Sequence, residues 1–179
     1  CANRNKRSLT IDFTKPEGQN ILKQLASKAD VLIENFKVGG LRQYGLDYES
    51  LHHQFPELIY CSITGYGRGN RHSQRPAFDA LVSARVGLHW EQRGRLGGAA
   101  GHLSGKPPFD PDYEVPPEAQ QGPNREGPLL PASRFPSLGA AYAATTAISA
   151  ALRAREVTGR GQWVETSLLQ GALAAGVMA

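Results

Sequence analysis

The sequence predicts an α/β fold with a mainly parallel sheet and flanking helices. Strand-like runs alternate with helical segments along the chain, and this alternation is typical of βαβ units with right-handed crossovers. The apolar runs 31–33 and 58–63 are each followed by a polar turn that contains glycine, as expected where a buried strand ends. No internal repeat or coiled-coil heptad competes with this interpretation.

Composition narrows the function classes. With 179 residues, 40% hydrophobic and 20% charged, the chain can bury one sizeable core. No run is apolar enough to span a bilayer, so no membrane partner is expected. Cys1 and Cys61 do not form a disulfide framework, which favours a cytoplasmic location. The Lys and Arg residues behind the net charge of +4 are dispersed, which disfavours nucleic acid as a partner. A small anionic ligand would explain a local excess of positive charge as well as nucleic acid would.

Both ends of the sequence look truncated. The chain begins in a basic cluster without methionine and without an apolar leader, and it stops inside the apolar run 171–179. We therefore expect a piece of a longer protein.

The first predicted elements are a strand and a helix. Leu9–Phe13 alternates as a short strand does. Thr14 can cap a helix in which Pro16 fits the first turn and Glu17 completes a capping box. The apolar residues of this helix fall on one face: Ile21, Leu22, Leu25, Ala26 and Ala29.

The run Val31–Ile33 is predicted to be a parallel strand buried on both faces. It ends in the turn Glu34–Gly40. Because ligands of open α/β sheets bind beyond the carboxyl ends of the strands, this turn is a candidate site. An ordinary connection between a strand and a helix explains the same residues equally well.

Three further elements follow this turn. Residues 41–44 form a short helical piece that Gly45 ends, 48–55 form a helix, and 58–63 form a strand. The glycines of the turn 64–69 do not make a dinucleotide fingerprint, because no G-x-G-x-x-G opens a helix there.

A second amphipathic helix is predicted from Asp79 through Leu88. Asp79 falls in its first turn, where the helix dipole favours a carboxylate, and this alone would explain the residue. The following stretch, from 94 to 125, is rich in Gly and Pro and is predicted to be an exposed loop or insertion. His89 and His102 lack the spaced partners of a metal site, so no metal is expected.

The last predicted elements are a long alanine-rich helix and a strand over 163–168. Ser137 is placed as the N-cap of the helix, Arg153 and Arg155 as its last turn, and Gly159 as its breaker. A buried packing helix explains the alanines. An open helix N-terminus would instead offer N–H donors to an anion, and both interpretations stay open.

Five segments, in this order, resemble the family III CoA-transferases of the CaiB/BaiF type, which include formyl-CoA transferase and the 2-methylacyl-CoA racemases. The segments are NRNKRSLTIDFTKPEG, ADVLIENFKVGGLRQYGLDYESL, PELIYCSITGYG, RPAFDALVSARVGL and AALRAREVTGRGQWVETSLLQ. The resemblance implies a Rossmann-like large domain, a homodimer of interlocked chains, and transfer of coenzyme A between an acyl-CoA and a carboxylic acid. CoA is then a substrate, and no permanently bound cofactor is implied.

The same resemblance implies that residues 1–179 are a partial large domain, with a Gly/Pro-rich loop or insertion at about 94–126. The family's first strand, its small domain and the glycine-rich loop over its active site are missing from this chain. We therefore expect the fragment to be inactive alone.

The resemblance also implies CoA contacts. The matching positions are Ile11 beside the adenine, Thr14 with its neighbour Lys15, Asn35 and Phe36 along the CoA path, and Gly40 with Arg42 on the following turn. Thr14 stands where the family often has Lys, and Gln43 where it often has a phosphate-binding Arg. The adjacent Lys15 and Arg42 can supply the missing positive charges.

The nucleophile of the resembled transferases is an Asp at the start of the helix that precedes TGRGQ. Its carboxylate attacks acyl-CoA to give a mixed anhydride, and the CoA thiolate then forms an aspartyl-CoA thioester. The matching position here is Ser137, and no Asp or Glu lies between Gly127 and Arg155.

Three hypotheses follow. In the first, another carboxylate acts, with Asp79 as the nearest candidate on a matching motif. In the second, Ser137 is the nucleophile, although the sequence shows no base to activate it. In the third, the chain is a catalytically silent CoA-ester-binding subunit, or its partner supplies the Asp. A racemase is disfavoured, because its proton-transfer His would fall at Phe78, which cannot titrate.

Overall fold

The computed structural model describes residues 3–91 and 134–177. Helices and strands alternate along it, and the insertion predicted at about 94–126 lies outside the described residues. The helix predicted from Asp79 through Leu88 is wrong in extent: it ends at Arg85, and a separate helix begins at Leu88, because Gly87 between them has a positive φ of 83°. The elements are α1 Pro16–Ala26, β1 Val31–Glu34, a 3₁₀ helix Arg42–Tyr44, α2 Tyr48–Gln54, β2 Ile59–Thr64, α3 Asp79–Arg85, α4 Leu88–Glu91, α5 Phe135–Thr158, β3 Trp163–Ser167 and α6 Leu168–Val177.

The strands form a parallel sheet in the order β1-β2-β3. Ile33 pairs with Cys61, and Cys61 pairs with Val164, so the register runs straight across the sheet. The predicted α/β class with a parallel sheet is confirmed.

Helices cover both faces of the sheet. On one face, Ile59, Cys61 and Val164 pack against Ala144 and Ala151 of α5, whose small side chains allow close approach. The other face packs against α1 and α2 through a second cluster: Ala26, Leu41, Leu46, Leu51, Leu58 and Tyr60. A third cluster joins α3 and α4 to α6 and contains Tyr66, Val82, Leu88 and Ala172. Burial of a side chain such as Leu51 or Val82, each 0% exposed, contributes about 1.5–3 kcal/mol.

Glycines end two elements where the sequence placed the breaks. Gly45 ends the 3₁₀ helix and Gly159 ends α5, both with positive φ, 62° and 67°. Arg155 then ties the end of α5 to the segment before β1, since its guanidinium donates to Asp30 Oδ1 at 2.7 Å.

The N-terminal segment departs from the prediction. Leu9–Phe13 is not a strand, although its side chains alternate. Thr14 does not cap α1: Lys15 is the N-cap, and the Thr14 hydroxyl donates to Asp12 Oδ1 at 2.6 Å. A local bond of this kind competes with capping, and it explains why the capping box does not form.

Two predicted apolar faces are only partly covered. The prediction that β1 is buried on both faces is wrong, since Ile33 is 58% exposed. The reason is that β1 is an edge strand of the described sheet, whereas α5 packs on β2 and β3. On α1, Ala26 is buried but Ile21 and Leu25 are 44% and 47% exposed.

No helix of the described ranges has the length and apolar character needed to cross a bilayer.

Candidate active site

The two candidate catalytic residues, Asp79 and Ser137, are in contact. The Ser137 backbone N–H donates to Asp79 Oδ1 at 2.8 Å, and the Ser137 hydroxyl donates to Asp79 Oδ2 at 2.7 Å. Since 58 residues separate them along the chain, tertiary packing makes this contact. The sequence presented the two residues as alternatives, whereas the structure makes them one half-buried pair, which we call the Asp79–Ser137 pair.

Close backbone packing positions Ser137. It is the third residue of α5, and two residues later Gly139 lies against Gly171 of α6. A Cβ on Gly139 would overlap the backbone of Gly171, and one on Gly171 would overlap the Pro136 carbonyl and the Ala140 nitrogen. The two glycines therefore fix where α5 begins.

Asp79 is positioned in a similar way. It is the first residue of α3, and the chain reaches it through Ala77, whose methyl group packs on Gly65. A Cβ on Gly65 would overlap that methyl group. The turn after β2 thus sets the start of α3, and with it the position of the carboxylate.

Ser137 is not the N-cap of its helix, contrary to prediction. α5 begins two residues earlier, and its N-cap Arg134 makes no side-chain cap bond. Pro136 suits the first turn, which allows the helix to start before Ser137. Asp79 accepts from the free N–H of Ser137, so the cap comes from another helix, and the dipole of α5 favours the charge there.

The pair also supplies an acceptor that the sequence did not reveal. The sequence showed no base that could activate Ser137, whereas in the structure Asp79 Oδ2 accepts the hydrogen bond of the Ser137 hydroxyl at 2.7 Å. A carboxylate held by both oxygens can attack an electrophilic carbonyl or accept the serine proton.

Two of the predicted CoA contacts, Ile11 and Phe36, line the same apolar groove of about 290 Å³ beside β1. Its other walls are apolar except for Glu34: Leu9, Phe13, Leu22, Leu32, Ile33, Leu41 and Leu46. Phe13 meets Phe36 and Tyr44 edge-on, with ring centroids 5.6 and 5.3 Å apart. A flat, largely apolar ring fits such a groove.

Asn35 and Phe36 also line a second cavity, of about 210 Å³. Among the described residues, its charged walls are Lys37 and Arg75 and include no carboxylate. Ala77, two residues before Asp79, lies at this cavity too. The cavity therefore connects the turn after β1 with the segment that carries Asp79, and we call it the cationic cavity.

Gly40 and Arg42 line a third cavity, of about 250 Å³. Arg42 Nη2 lies 3.7 Å from Glu49 Oε2, and both side chains are exposed. An anion at Arg42 has to compete with this carboxylate, although an exposed ion pair is weak.

Thr14 and Lys15 both contact Asp12. Thr14 donates its hydroxyl and its N–H to Asp12 Oδ1, and Lys15 Nζ lies 3.7 Å from Asp12 Oδ2. The Thr14 hydroxyl, followed by its N–H, holds the pKa of Asp12 below its ordinary value. Neither Thr14 nor Lys15 lines the three cavities, so the structure does not bring them to Ile11's groove.

Glu34 belongs to the candidate turn, but the sequence indicated no separate role for it. It is buried, and its Oε2 accepts the Phe36 N–H at 2.7 Å. Glu34 therefore shapes the turn that presents Asn35 and Phe36. Burial, followed by the charges of Glu34 and Asp47, raises the pKa of the nearby Tyr60 hydroxyl.

Arg68 was not identified from the sequence. Its guanidinium lies 4.1 Å over the Trp163 ring and near Glu165, and Trp163 Nε1 donates to Ser62 Oγ at 3.2 Å. The strand sequences did indicate a polar site here, because Ser62 and Glu165 are polar residues that pair in register on one face of the sheet.

Within residues 3–91 and 134–177, no group of three or more His, Cys, Asp and Glu side chains is placed to hold a metal ion.

Comparison with known proteins identifies the family. The model of CoA-transferase family III matches residues 1–178. The chain belongs to this family. Succinyl-CoA:glutarate CoA-transferase of Mus musculus is 34% identical over 172 residues, which are 96% of this chain and 33% of the relative. Succinate–glutarate CoA-transferase of Agrobacterium fabrum is 48% identical over 88 residues, which cover 49% of this chain and 22% of the relative.

A solved structure supports the fold of the family member. The crystal structure of a CAIB/BAIF family protein from Brucella suis matches with a TM-score of 0.71 and 34% identity, over 97% of this chain and 38% of that chain. This family member spans about a third of the length of the curated relatives it matches.

Proposed function

We propose that the protein to which this chain belongs transfers coenzyme A between an acyl-CoA and a carboxylic acid, with Asp79 as the nucleophile. The observation that carries this proposal is the pair of hydrogen bonds from Ser137, which holds the Asp79 carboxylate at the helix position where the resemblance puts the family nucleophile. Family membership and the printed activities of the relatives support it.

The proposed reaction proceeds through two anhydrides. The Asp79 carboxylate attacks the thioester carbonyl, the C–S bond breaks, and CoA leaves as a thiolate. The thiolate attacks the Asp79 carbonyl of the anhydride, which releases the first acid as a carboxylate and leaves an Asp79–CoA thioester. The second acid attacks this thioester and frees the thiolate. Thiolate attack on the new acyl carbonyl then yields the second acyl-CoA and free Asp79.

Ser137 has a defined role in this scheme. The thiolate and later the second acid each attack the Asp79 carbonyl, and each attack develops negative charge on an Asp79 carboxyl oxygen. The N–H and hydroxyl of Ser137 already point at those oxygens, at 2.8 and 2.7 Å, so they can stabilise the tetrahedral intermediate as oxyanion donors do.

The cavities suggest the path of the CoA ester. We place the adenine in the apolar groove with Ile11 and Phe36, and the phosphates and pantetheine along the cationic cavity with Asn35. Phe36 borders both spaces, and the thioester would then arrive at Asp79. In this proposal the remaining predicted contacts lie at the edge of the CoA path and contribute less to CoA affinity: Thr14, Lys15, Gly40 and Arg42.

The intact protein is proposed to be a cytoplasmic homodimer of interlocked chains. Apolar side chains beside the Asp79–Ser137 pair support a covering surface, since Phe78 is 56% and Leu138 is 52% exposed. The buried free thiol of Cys61 is consistent with a reducing compartment.

One observation favours a second candidate function. Because Ser137 stands where the resembled transferases have Asp, the chain can instead belong to a CoA-ester-binding subunit that performs no transfer. The two functions differ in turnover and not in CoA binding.

The test compares the intact wild-type protein with Asp79→Asn. We expect CoA transfer to a labelled carboxylic acid, measured by chromatography, to fall by about 10³-fold or more in the variant, because the amide cannot form the anhydride. CoA affinity by calorimetry should stay the same. Equal transfer by both proteins would overturn the role of Asp79, and CoA binding by a wild type without transfer would favour the silent subunit.

A further inference from the structure

A histidine surrounded by arginines lies beside the proposed CoA path. Arg71 Nε donates to His72 Nε2 at 3.0 Å, and Arg85 Nη2 lies 3.4 Å from His72 Nδ1. Arg85 also lies 5.5 Å over the ring of Tyr66, which is 6.3 Å from the His72 ring. Arg75 follows on the same loop and lines the cationic cavity. We call these four residues, 71, 72, 75 and 85, the arginine–histidine cluster.

The cluster has no negative partner within the described ranges. None of its three arginines forms an ion pair with a carboxylate there, whereas Arg42, Arg68, Arg153 and Arg155 all do. Like charges therefore face each other across the imidazole without compensation.

Hydrogen bonding at His72 is incomplete for the same reason. A neutral imidazole has one acceptor nitrogen and one N–H. Both ring nitrogens of His72 face guanidinium donors, so in either tautomer one N–H opposes another N–H. Loss of solvation, followed by the charges of Arg85, Arg75 and Arg71, lowers the pKa of His72.

We propose that the arginine–histidine cluster is a binding site for a phosphoryl group. Guanidinium groups bind phosphate oxygens through paired N–H donors. Two of them, Arg71 from a loop and Arg85 from the end of α3, lie at the two nitrogens of one half-buried ring, and Arg75 follows on the same loop. A phosphate supplies the missing negative charge and the missing acceptors at once. A carboxylate has fewer oxygens than a phosphate to accept hydrogen bonds from several guanidinium groups, so the cluster favours a phosphate over an acyl carboxylate.

The source of the phosphoryl group is either a CoA ester or free phosphate. Arg75 joins the cluster to the cationic cavity, which favours CoA as the source, and this assignment rests on the proposed function. The ability of the cluster to bind a phosphoryl group does not depend on catalysis by Asp79.

The experiment is an NMR titration of His72 in the intact protein with labelled histidine, the resonance being assigned with His72→Gln. Sulfate keeps a constant charge over the range in which His72 titrates, so it serves as the probe for the pH series. We expect sulfate and inorganic phosphate to raise the pKa of His72, because an anion between Arg71, Arg75 and Arg85 stabilises the imidazolium. An unchanged His72 pKa with saturating sulfate, phosphate and CoA would overturn the proposal.

Four ligands distinguish the sources: CoA, dephospho-CoA, pantetheine and inorganic phosphate. CoA and dephospho-CoA should shift the His72 resonance and pantetheine should not, if the pyrophosphate of CoA occupies the site. A shift with CoA alone would assign the site to the 3′-phosphate. A shift with inorganic phosphate but with neither CoA nor dephospho-CoA would support the site with free phosphate as its ligand. The shift persists if Asp79 proves not to be a nucleophile, so failure of one proposal is separable from failure of the other.

A matched pair of variants completes the test. Arg85→Gln should weaken phosphate binding by about tenfold or more, since it removes one charge-assisted fork. Arg153→Gln should not, because Arg153 is an exposed arginine of α5 that pairs with Glu156. Equal affinities of the two variants would contradict the proposal. Both replaced side chains are exposed, so the far-UV spectrum should match wild type.

Discussion

The Asp79–Ser137 pair and the turn after β1 are built in opposite ways. At the pair, two hydrogen bonds from one residue hold a half-buried carboxylate, and glycine contacts fix the helices behind it. At the turn, Asn35 and Phe36 are exposed. Arg42, in the 3₁₀ helix that follows this turn, pairs with the exposed Glu49.

This difference separates positioning from binding. The proposed nucleophile is held in one orientation by the fold, which is expected where reacting atoms have to be placed accurately. The proposed CoA contacts are more exposed, and Arg42 has to exchange its carboxylate partner for the ligand. Mutations at the first region should therefore change stability and turnover together, whereas mutations at the second should change affinity.

Gly171→Ala should give the largest effect. The added Cβ would overlap the Pro136 carbonyl and the Ala140 nitrogen, so α5 and α6 have to move apart. We expect a loss of about 3 kcal/mol or more in the free energy of unfolding, measured by urea denaturation.

Gly39→Ala is the matched change in the turn after β1. A Cβ at Gly39 meets nothing within 4 Å, but its φ of 77° disfavours alanine, so the cost should be about 1 kcal/mol. Equal losses in the two glycine variants would show that the helix contact is not tight.

Asp79→Ala should rank second. It leaves the N–H and hydroxyl of Ser137 without their acceptor, which should cost about 1–3 kcal/mol of stability. Ser137→Ala removes only the hydroxyl bond and should cost about 0.5–1.5 kcal/mol. The double variant should lose less than the sum of the single variants, and strict additivity would mean that the pair does not interact in solution.

Asn35→Ala tests the second region. Its exposed side chain lines the cationic cavity, so we expect CoA affinity by calorimetry to fall by about fivefold, equivalent to one net hydrogen bond, with stability unchanged. Asn20→Ala, an exposed asparagine of α1, is the control. CoA affinity that equals the control's would remove Asn35 from the proposed path.

Thr14→Val should give the smallest effect, on acid stability. In the fold, the Thr14 hydroxyl lowers the pKa of Asp12 below 3.8, so the contribution of Asp12 is present above that value and is lost as pH falls through the folded-state pKa. The variant should raise the Asp12 pKa, as measured by NMR of the carboxyl carbon, and flatten the acid limb of the stability curve. Thr145→Val, whose hydroxyl bonds the Ala141 carbonyl, should leave that pKa unchanged.

Local patterns predicted most of the described fold. α2, β2 and β3 were correct because turn residues bound their hydrophobic patterns, and Gly45 and Gly159 end elements for steric reasons that act within a few residues. The alternation at Leu9–Phe13 misled, because a strand also needs a partner to pair with. Likewise, the apolar run of β1 does not reveal that Ile33 lies at an edge.

The candidate site was predictable only in its parts. Asp79 and Ser137 were each identified, but their contact arises from backbone packing at Gly65, Gly139 and Gly171, which no local spacing encodes. The N-cap prediction for Ser137 was wrong for the same reason, since the acceptor comes from a residue 58 positions away.

The most direct test of the central claim is peptide mass spectrometry of the intact protein after incubation with an acyl-CoA and hydroxylamine. Hydroxylamine converts an Asp anhydride or an Asp–CoA thioester into a hydroxamate, whereas it strips an acyl group from serine and leaves serine unmodified. We predict a hydroxamate on Asp79 that is absent without acyl-CoA. An acyl group on Ser137 in the sample without hydroxylamine, together with an unmodified Asp79 in both samples, would contradict the assignment of Asp79 as the nucleophile.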